Sequence, residues 1–508
     1  MDDKQMNGSE AMLFAGLLIC VLLLCLYRLD VYPAPWFDEG LVLQAAKNVA
    51  RDGQYGLRST EGFVPFHPAI QTGPPVLLPI ALIIHLAGAD VFQVRLVTVC
   101  YTVLALAVFY WLVRDLYSKK VALLASLLLV FTFDHEFTSF VAMGRQVLGE
   151  VPALAFFWLG TLLWFRAWRN PNWLALIWPG LLWGLTIVTK VQFAIMLPAT
   201  LLVFWLFGRI WSRRIPIRWV LVPILVSGGC MLIWYGYQTF TLGFTGFWQQ
   251  AQALGSAGGM HLLSFSARRM VGAISQLLGS SLVLFGVPGM LYAVGLSLQN
   301  REETEYRQIF LVMFTAVWLG WYAFLSIGWM RYAFVPAVMS TIFSARLLGD
   351  VWDWAGQRHR VLERWLLLAP GQVAVGGVIV MLLLSGLVPM AKQIVQSPDS
   401  GLQELAQYLN THIPTDVVIE SWEWEVDFLT DHPYNHPSYE VMNVVTEHLW
   451  YGIPYYSDVY DPWVFHPAYL IVGPFARWTG IYSHHIVEPR CTLVKSIGEY
   501  DLYKVNSD

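Results

Sequence analysis

Hydrophobic positions in this chain gather into long runs separated by short polar breaks. Eleven runs approach the length of about 20 residues that a helix needs to cross a bilayer: 11–28, 94–116, 121–138, 150–168, 173–189, 192–210, 219–238, 279–298, 308–327, 332–348 and 370–391. Each is predicted to be a membrane-spanning helix. A shorter run, 75–88 (PVLLPIALIIHLAG), reads as a helix lying at the interface. The stretch 239–278 is rich in Gly and Thr and has no sustained apolar run. The pattern changes in two places. In WFDEGLVLQAAKNVARDGQYG the apolar residues fall at 41, 42, 45, 46, 49 and 50, a helical stripe. It predicts an amphipathic helix over 39–51 on the outer leaflet, with Asp38 as its N-cap and Asp52-Gly53 as its stop. Beyond residue 391 the chain turns polar and aromatic. There 401–412 reads as a helix, and 415–422, 468–475 and 491–505 read as strands. The predicted architecture is an all-α polytopic module over 1–391, followed by a small α/β domain over 392–508.

Composition agrees with a membrane protein. Hydrophobic residues make up 56% of the 508 positions and charged residues only 13%, against about 25% in soluble domains. The net charge of -4 gives no reason to expect nucleic acid. Four of the five cysteines (20, 25, 100 and 230, with 491 the exception) lie in apolar runs, so no disulfide framework is implied. No small-residue cleavage site follows 11–28, which is read as a retained first span. Cytoplasmic loops collect Lys and Arg. With the N-terminus inside and 75–88 not crossing, the basic segments 113–120, 166–172, 208–219, 299–308 and 345–364 all face the cytoplasm. The segments 29–93, 139–149, 239–278, 328–331 and 392–508 then share the outer face.

That arrangement brings charged residues together at one membrane boundary, where ionisable groups are costly unless paired or used. Asp38 and Glu39 follow a Pro-Trp-Phe approach. Arg145 and Glu150 precede the span that holds Pro152. Glu150 suits the first turn of a helix by its charge alone. Arg145, an outer-face arginine, has the planar fork that suits phosphate. Lys190 lies in a tight turn between two spans and Arg331 opens another; either is compatible with simple snorkelling. His67 stands in GFVPFHPAIQTGPPVLLP, where prolines argue against regular structure. Histidines 432, 436, 466, 484 and 485 lack zinc-site spacing. No Walker loop or GxGxxG cradle is present.

FDEG after the first span, TGPP opening an apolar helix, VRL at 94–96, an arginine and then Glu-x-Pro over 145–152, GLTIVTK at 184–190 and RYAFVP at 331–336 occur in a characteristic order. Over residues 11–340 the chain resembles the GT-C glycosyltransferases, in the branch of the protein O-mannosyltransferases and aminoarabinose transferases. The resemblance implies a polyprenyl-phosphate-sugar donor and inverting transfer at the outer face of the cell membrane. It implies Asp38 as catalytic base with Glu39 beside it and Glu150 as the acid of the second outer loop; Arg145, Lys190 and Arg331 are the candidates for the donor phosphate. His67 is a candidate on the acceptor side. Where the aminoarabinose enzymes carry a phosphate-binding lysine, this chain has Thr72-Gly73, so the phosphate must be held otherwise. A divalent metal is compatible with this reading but not required by it. Implied partners are membrane lipids, the lipid-borne donor and a glycan, lipid or protein acceptor. The rival classes are a transporter or lipid-linked-sugar flippase, and a non-catalytic membrane subunit. The first would be expected to show internal repeats and mid-span charges, and the second leaves the outer acids and arginines without a purpose.

Overall fold

A computed structural model describes residues 6–169, 172–210, 215–299, 303–359, 370–454, 460–482 and 490–506. The chain begins with α1 (Gly8–Leu26), capped by the Asn7 side chain at Glu10 N. Then come α2 (Phe37–Asp52), the hairpin β1 (Gly56–Ser59) and β2 (Gly62–Pro65), α3 (Pro74–Ala87) and α4 (Val91–Leu116). Next are α5 (Lys119–Phe131), the short α6 (Phe140–Gly144), α7 (Glu150–Ala167), α8 (Ile177–Thr189) and α9 (Phe193–Ile210). The helical module is completed by α10 (Arg218–Leu262), α11 (Ala267–Leu277), α12 (Val287–Gln299), α13 (Glu303–Phe324), α14 (Phe334–His359) and α15 (Pro370–Gln396).

Among the described residues eight helices are long and apolar enough to cross a membrane: those beginning at Gly8, Val91, Phe193, Arg218, Leu282, Thr304, Met330 and Pro370. Helices also occupy the other three predicted spans, as α5, α7 and α8, with 13, 18 and 13 residues. The predicted span 121–138 is thus shortened, with a bend and one 3-10 turn (Glu136–Thr138) after Phe131. Apolar side chains such as Ile19, Leu225, Leu232 and Met381 stand well exposed on their helices, as lipid-facing positions must. Helix α4 packs on α7, α7 on α8 and α8 on α10, while α14 packs on α5, α12 and α15.

The stretch 239–278 is helical, contrary to its weak apolar signal. Helix α10 continues through it, with a kink at Gly243 where φ is 69°, and α11 follows. Its Gly and Thr content removed the periodic signal without preventing helix formation. The loop 62–79 is also more regular than its prolines suggested. Pro65 ends a strand, where it costs no ladder bond, and Pro74 and Pro75 occupy the first turn of α3. At 14 residues, α3 is about 21 Å long, too short to cross.

The C-terminal elements are α16 (Leu402–His412), β3 (Ile419–Ser421), α17 (Trp424–Leu429), β4 (Tyr434–Asn435), α18 (Tyr439–Tyr451), β5 (Tyr469–Val472), α19 (Pro474–Thr479), β6 (Cys491–Ile497) and β7 (Tyr500–Val505). Their sheet has the order β4-β3-β5-β7-β6, parallel over its first three strands and antiparallel beyond. The helix and strands predicted from sequence are all present. Helices α17, α18 and α19 and the short β4 were not predicted. His484 and His485, and part of the basic loop 345–364, lie outside the described residues.

Helix α2 joins the two halves, and it does not lie on the leaflet. Phe37 and Glu39 to Asn48 are buried, because α3 covers one side and α17 the other. Phe37 stacks on Phe475 at 3.7 Å between ring centres. Gln44 Nε2 donates to Asp427 Oδ1 (3.1 Å), and Lys47 Nζ donates to the Asp427 and Thr430 carbonyls. The side facing α17 must lack a side chain at Gly40, where a Cβ would come within 2.3 Å of Glu425 N. The hairpin adds a further link, with Thr60 N donating to the Tyr434 carbonyl.

Candidate active site

The end of α1, the start of α2, the starts of α4, α7 and α14 and the end of α8 are linked through charged side chains and carbonyls. Each contributes a charged side chain or a carbonyl. The first turn of α2 carries the two acids. Trp36, with extended backbone, is the N-cap and makes no side-chain capping bond. Asp38 is therefore the second helical residue and not the cap that the sequence suggested. Both acids lie at the positive end of the helix dipole, and they point to different partners.

Glu39 is sealed. Arg95, just past the first turn of α4, grips it through Nε–Oε1 (2.8 Å) and Nη2–Oε2 (2.5 Å). Neither side chain is exposed to solvent. Val147 N donates to Glu39 Oε1 (2.9 Å), and the remaining Arg95 donor serves the Leu29 and Pro33 carbonyls. Arg95 stands in the VRL stretch but was given no role from sequence, although an arginine near the start of a mainly apolar 26-residue helix was signal enough.

Asp38 belongs to a second cluster. Arg331, in the 3-10 turn Met330–Ala333 before α14, donates Nη1 to Asp38 Oδ2. Through Nε (2.6 Å) and Nη2 (3.1 Å) it also forks onto both oxygens of Glu150, at the start of α7. Lys190 Nζ completes the set at 2.9 Å from Glu150 Oε1. Two acids and two cations leave it formally neutral. Arg331, Glu150 and Lys190 are nearly inaccessible, whereas the Asp38 side chain is 22% exposed. Burial raises the Asp38 carboxyl above the usual range, and the cations Arg331 and Lys190 only partly offset this.

Lys190 reaches the cluster because the turn after α8 runs against the start of α3. Gly73 N donates to the Thr189 carbonyl (3.2 Å), and a Cβ on Gly73 would fall 1.8 Å from Val188 O. The glycine of TGPP is required by this close passage.

Arg145 is placed elsewhere. It is fully buried, and its donors reach the Tyr32 (2.7 Å), Tyr27 (2.8 Å), Arg28 (2.8 Å) and Leu24 carbonyls. It thereby closes the C-terminal end of α1, satisfying carbonyls that a helix end leaves open. In this geometry none of its nitrogens is left for a phosphate. His67 also lies apart from the cluster. Its Nδ1 accepts from Ala69 N (3.1 Å), its ring meets Tyr439 edge-on, and it lines a 350 Å³ pocket between the hairpin and α18. Burial pushes its pKa down to about 4, so it is neutral near pH 7. Among the described residues no group of three or more His, Cys, Asp or Glu is arranged to hold a metal ion.

Comparison with known proteins gives a consistent fold. The family model for dolichyl-phosphate-mannose-protein mannosyltransferase matches residues 71–234, a range that holds Arg95, Arg145, Glu150 and Lys190. An uncharacterized protein of Aquifex aeolicus is 28% identical over 234 residues, covering 44% of this chain and 43% of that protein. ArnT from Cupriavidus metallidurans, solved bound to undecaprenyl phosphate, superposes with a TM-score of 0.59 over 98% of both chains at 13% identity. The oligosaccharyltransferase AglB of Archaeoglobus fulgidus, in complex with an inhibitory peptide and a dolichol-phosphate, gives 0.59 over 99% of this chain and 75% of that one, at 11% identity. The resemblance at such low identity is one of fold.

Proposed function

We propose, from a chain with the GT-C glycosyltransferase fold, a membrane enzyme that moves a sugar from a polyprenyl-phosphate carrier to an acceptor hydroxyl. The carrying observation is the asymmetry of the charged cluster. Of Asp38, Glu39 and Glu150, only Asp38 keeps appreciable access, at 22% against 0% and 6%. Arg331 holds its Oδ2, which leaves Oδ1 to take a proton.

The acceptor oxygen attacks the anomeric carbon of the donor, and the bond from that carbon to the phosphate oxygen breaks. The acceptor proton passes to Asp38, and the polyprenyl phosphate leaves with the bonding pair. A single displacement inverts the anomeric centre. The raised Asp38 pKa suits a general base, which works best when its pKa approaches the working pH. Lys190 and Arg331 are the cations near enough to stabilise a leaving phosphate. Glu150 holds both in place until the donor arrives. Glu39, paired with Arg95, fixes the first turn of α2 and thus the position of Asp38. The far ends of the helices carry Arg114, Lys119, Arg169 and Arg307, with Arg169 and Arg307 sharing Asp115. The bias of basic ends toward the cytoplasm supports an orientation with Asp38 at the outer side of the membrane.

Incubating the purified protein with a panel of polyprenyl-phosphate sugars tests the reading. The expected result is release of polyprenyl phosphate from at least one donor, slowed by about 10²–10⁴-fold in Asp38→Asn while donor binding persists. Normal turnover by Asp38→Asn would reject the assignment.

A further inference from the structure

A cavity of 800 Å³ opens beside the cluster, bordered by Trp329 and Met330 immediately before Arg331. It falls within the size range of small-molecule sites. The transfer reading above does not assign it a content. Its walls come from five parts of the chain: the bend after α5, the region from α11 to α12, the turn before α14, helix α15 and, from the C-terminal half, Trp450 of α18.

Three features say what it could hold. One wall is a continuous aromatic surface. Phe137 meets Trp329 edge-on at 6.2 Å, and Trp329 meets Trp450 at 5.6 Å with 34° between the rings. Flat rings of this kind offer a face to the C–H side of a sugar. Beside them stand polar groups with bonding capacity left over. Asp134 uses Oδ2 for Ser281 N and Oγ, Gln276 uses Oε1 for the Tyr322 hydroxyl, and His135 uses Nδ1 for Phe137 N. Asp134 Oδ1, Gln276 Nε2 and His135 Nε2 remain for hydroxyls. The Asp134–Ser281 contact also anchors a π-helical turn, Leu282–Gly286, an irregularity that recurs at functional sites. The second feature is an apolar flank. Leu382, Ser385 and Gly386 line the cavity from α15, a helix whose Met381, Leu384 and Val388 are exposed as lipid-facing residues are. The third is charge. No Lys or Arg lines the cavity, and Asp134 does. Asp134 is thus the charged group among the lining residues, and a cation close to them, Arg269, is engaged over the Trp450 ring at 5.5 Å.

We infer that this cavity is the acceptor subsite, and that it takes a membrane-anchored saccharide with no phosphate at its reacting end. The sugar lies against Trp329 and Trp450, and its lipid leaves along α15. The inference rests on the transfer reading, because it assigns the donor phosphate to Lys190 and Arg331 and the acceptor to this cavity.

The test uses the full-length Asp38→Asn variant in nanodiscs, so that no turnover intervenes. The probe is a decyl glycoside with a diazirine on its sugar, and the labelled positions are mapped by mass spectrometry. Labelling is expected within 132–137 and 328–330. Excess plain decyl glycoside should compete, and decyl phosphate should not. Trp329→Ala or Trp450→Ala should lower the labelling by about 2- to 12-fold, the range of an aromatic contact, while Trp329→Phe should retain it. Suppression by decyl phosphate would assign the cavity to the donor and overturn the inference. Labelling that plain glycoside cannot displace, or that Trp329→Ala leaves intact, would overturn it as well. Binding of polyprenyl phosphate to the unmodified protein is measured separately. Its loss would fault the donor reading and leave the glycoside result standing.

Discussion

Asp38 and Glu39 are consecutive residues in one helical turn, and each is held by an arginine. The two pairs nevertheless do different work. Glu39 and Arg95 form a closed unit in which every oxygen and the guanidinium are satisfied by protein atoms, with no exposed surface. Asp38 and Arg331 form an open unit. Arg331 is shared with Glu150, Lys190 is held by the same carboxylate, and one Asp38 oxygen is left over. The same two chemical groups therefore build a sealed strut in one case and, in the other, a partly open charged cluster, the one to which the proposed reading assigns the reaction. What separates them is access and the number of competing charges, not residue type.

The comparison breaks if the two acids respond alike to loss of charge. Asp38→Asn should fold with near-normal thermal stability and lose about 10²–10⁴ in transfer rate, the usual contribution of a general base. Arg95→Met should do the reverse. Removing one partner of a buried pair strands the other charge, at a cost of about 3–5 kcal/mol. The expected observation is a large fall in unfolding temperature, with the surviving folded protein losing far less rate than Asp38→Asn does. Arg95→Met at full stability, or Asp38→Asn at full rate, would show that the two sites had been assigned the wrong way round.

Much of this was legible before the structure. The apolar runs located helices at all eleven predicted spans, and loop charge alone gave the expectation that Asp38, Glu150, Lys190 and Arg331 share one membrane face. Their convergence on one another is what the coordinates add. The errors have physical causes. Arg145 was read as a phosphate ligand because an outer-face arginine is unusual. A helix end supplies an alternative demand for guanidinium donors, and the Leu24, Tyr27 and Arg28 carbonyls meet it. Helix α2 was read as a leaflet helix because its stripe is amphipathic. Its polar side faces α17, where Gln44 and Lys47 find partners, and no stripe pattern distinguishes a protein neighbour from water. The contact that buries it joins residues almost 400 positions apart, which local pattern cannot carry.

Two smaller effects sharpen the picture of the open cluster. Lys190→Met leaves Arg331 to hold Glu150 alone and removes one cation from the donor side. A hydrogen bond to a charged group contributes about 1.5–3 kcal/mol, so binding of a polyprenyl phosphate should weaken by about 10- to 150-fold in a direct binding assay. Unchanged affinity would place the phosphate elsewhere. The pH profile comes next. Asp38 must be ionised to accept a proton, and burial raises its pKa above the ordinary aspartate range. The rate should therefore rise with pH through that raised value, with a slope of about tenfold per unit on the acid side. A rate flat down to the ordinary carboxylate range would mean that Asp38 is not the group being titrated.

The smallest effect is expected at His67. It was a candidate because a histidine in a Pro-rich outer loop can serve as an acid, a base or a contact. Three observations remove it from the reacting cluster. Its Nδ1 is used by Ala69 N, its ring packs on Tyr439, and burial holds it neutral with a pKa of about 4. A neutral ring offers a phosphate no charge at pH 7. His67→Gln keeps a hydrogen-bond acceptor of similar reach at this partly buried position and removes no charge. Transfer rate and donor affinity should then change by no more than about twofold. The pocket that His67 lines, with Trp424, His436 and Tyr439, belongs to the contact between the hairpin and the C-terminal half. If His67→Gln lowered the rate as far as Asp38→Asn does, that contact would have to be part of the chemistry. The separation between open cluster and closed framework would then fail at its outer edge.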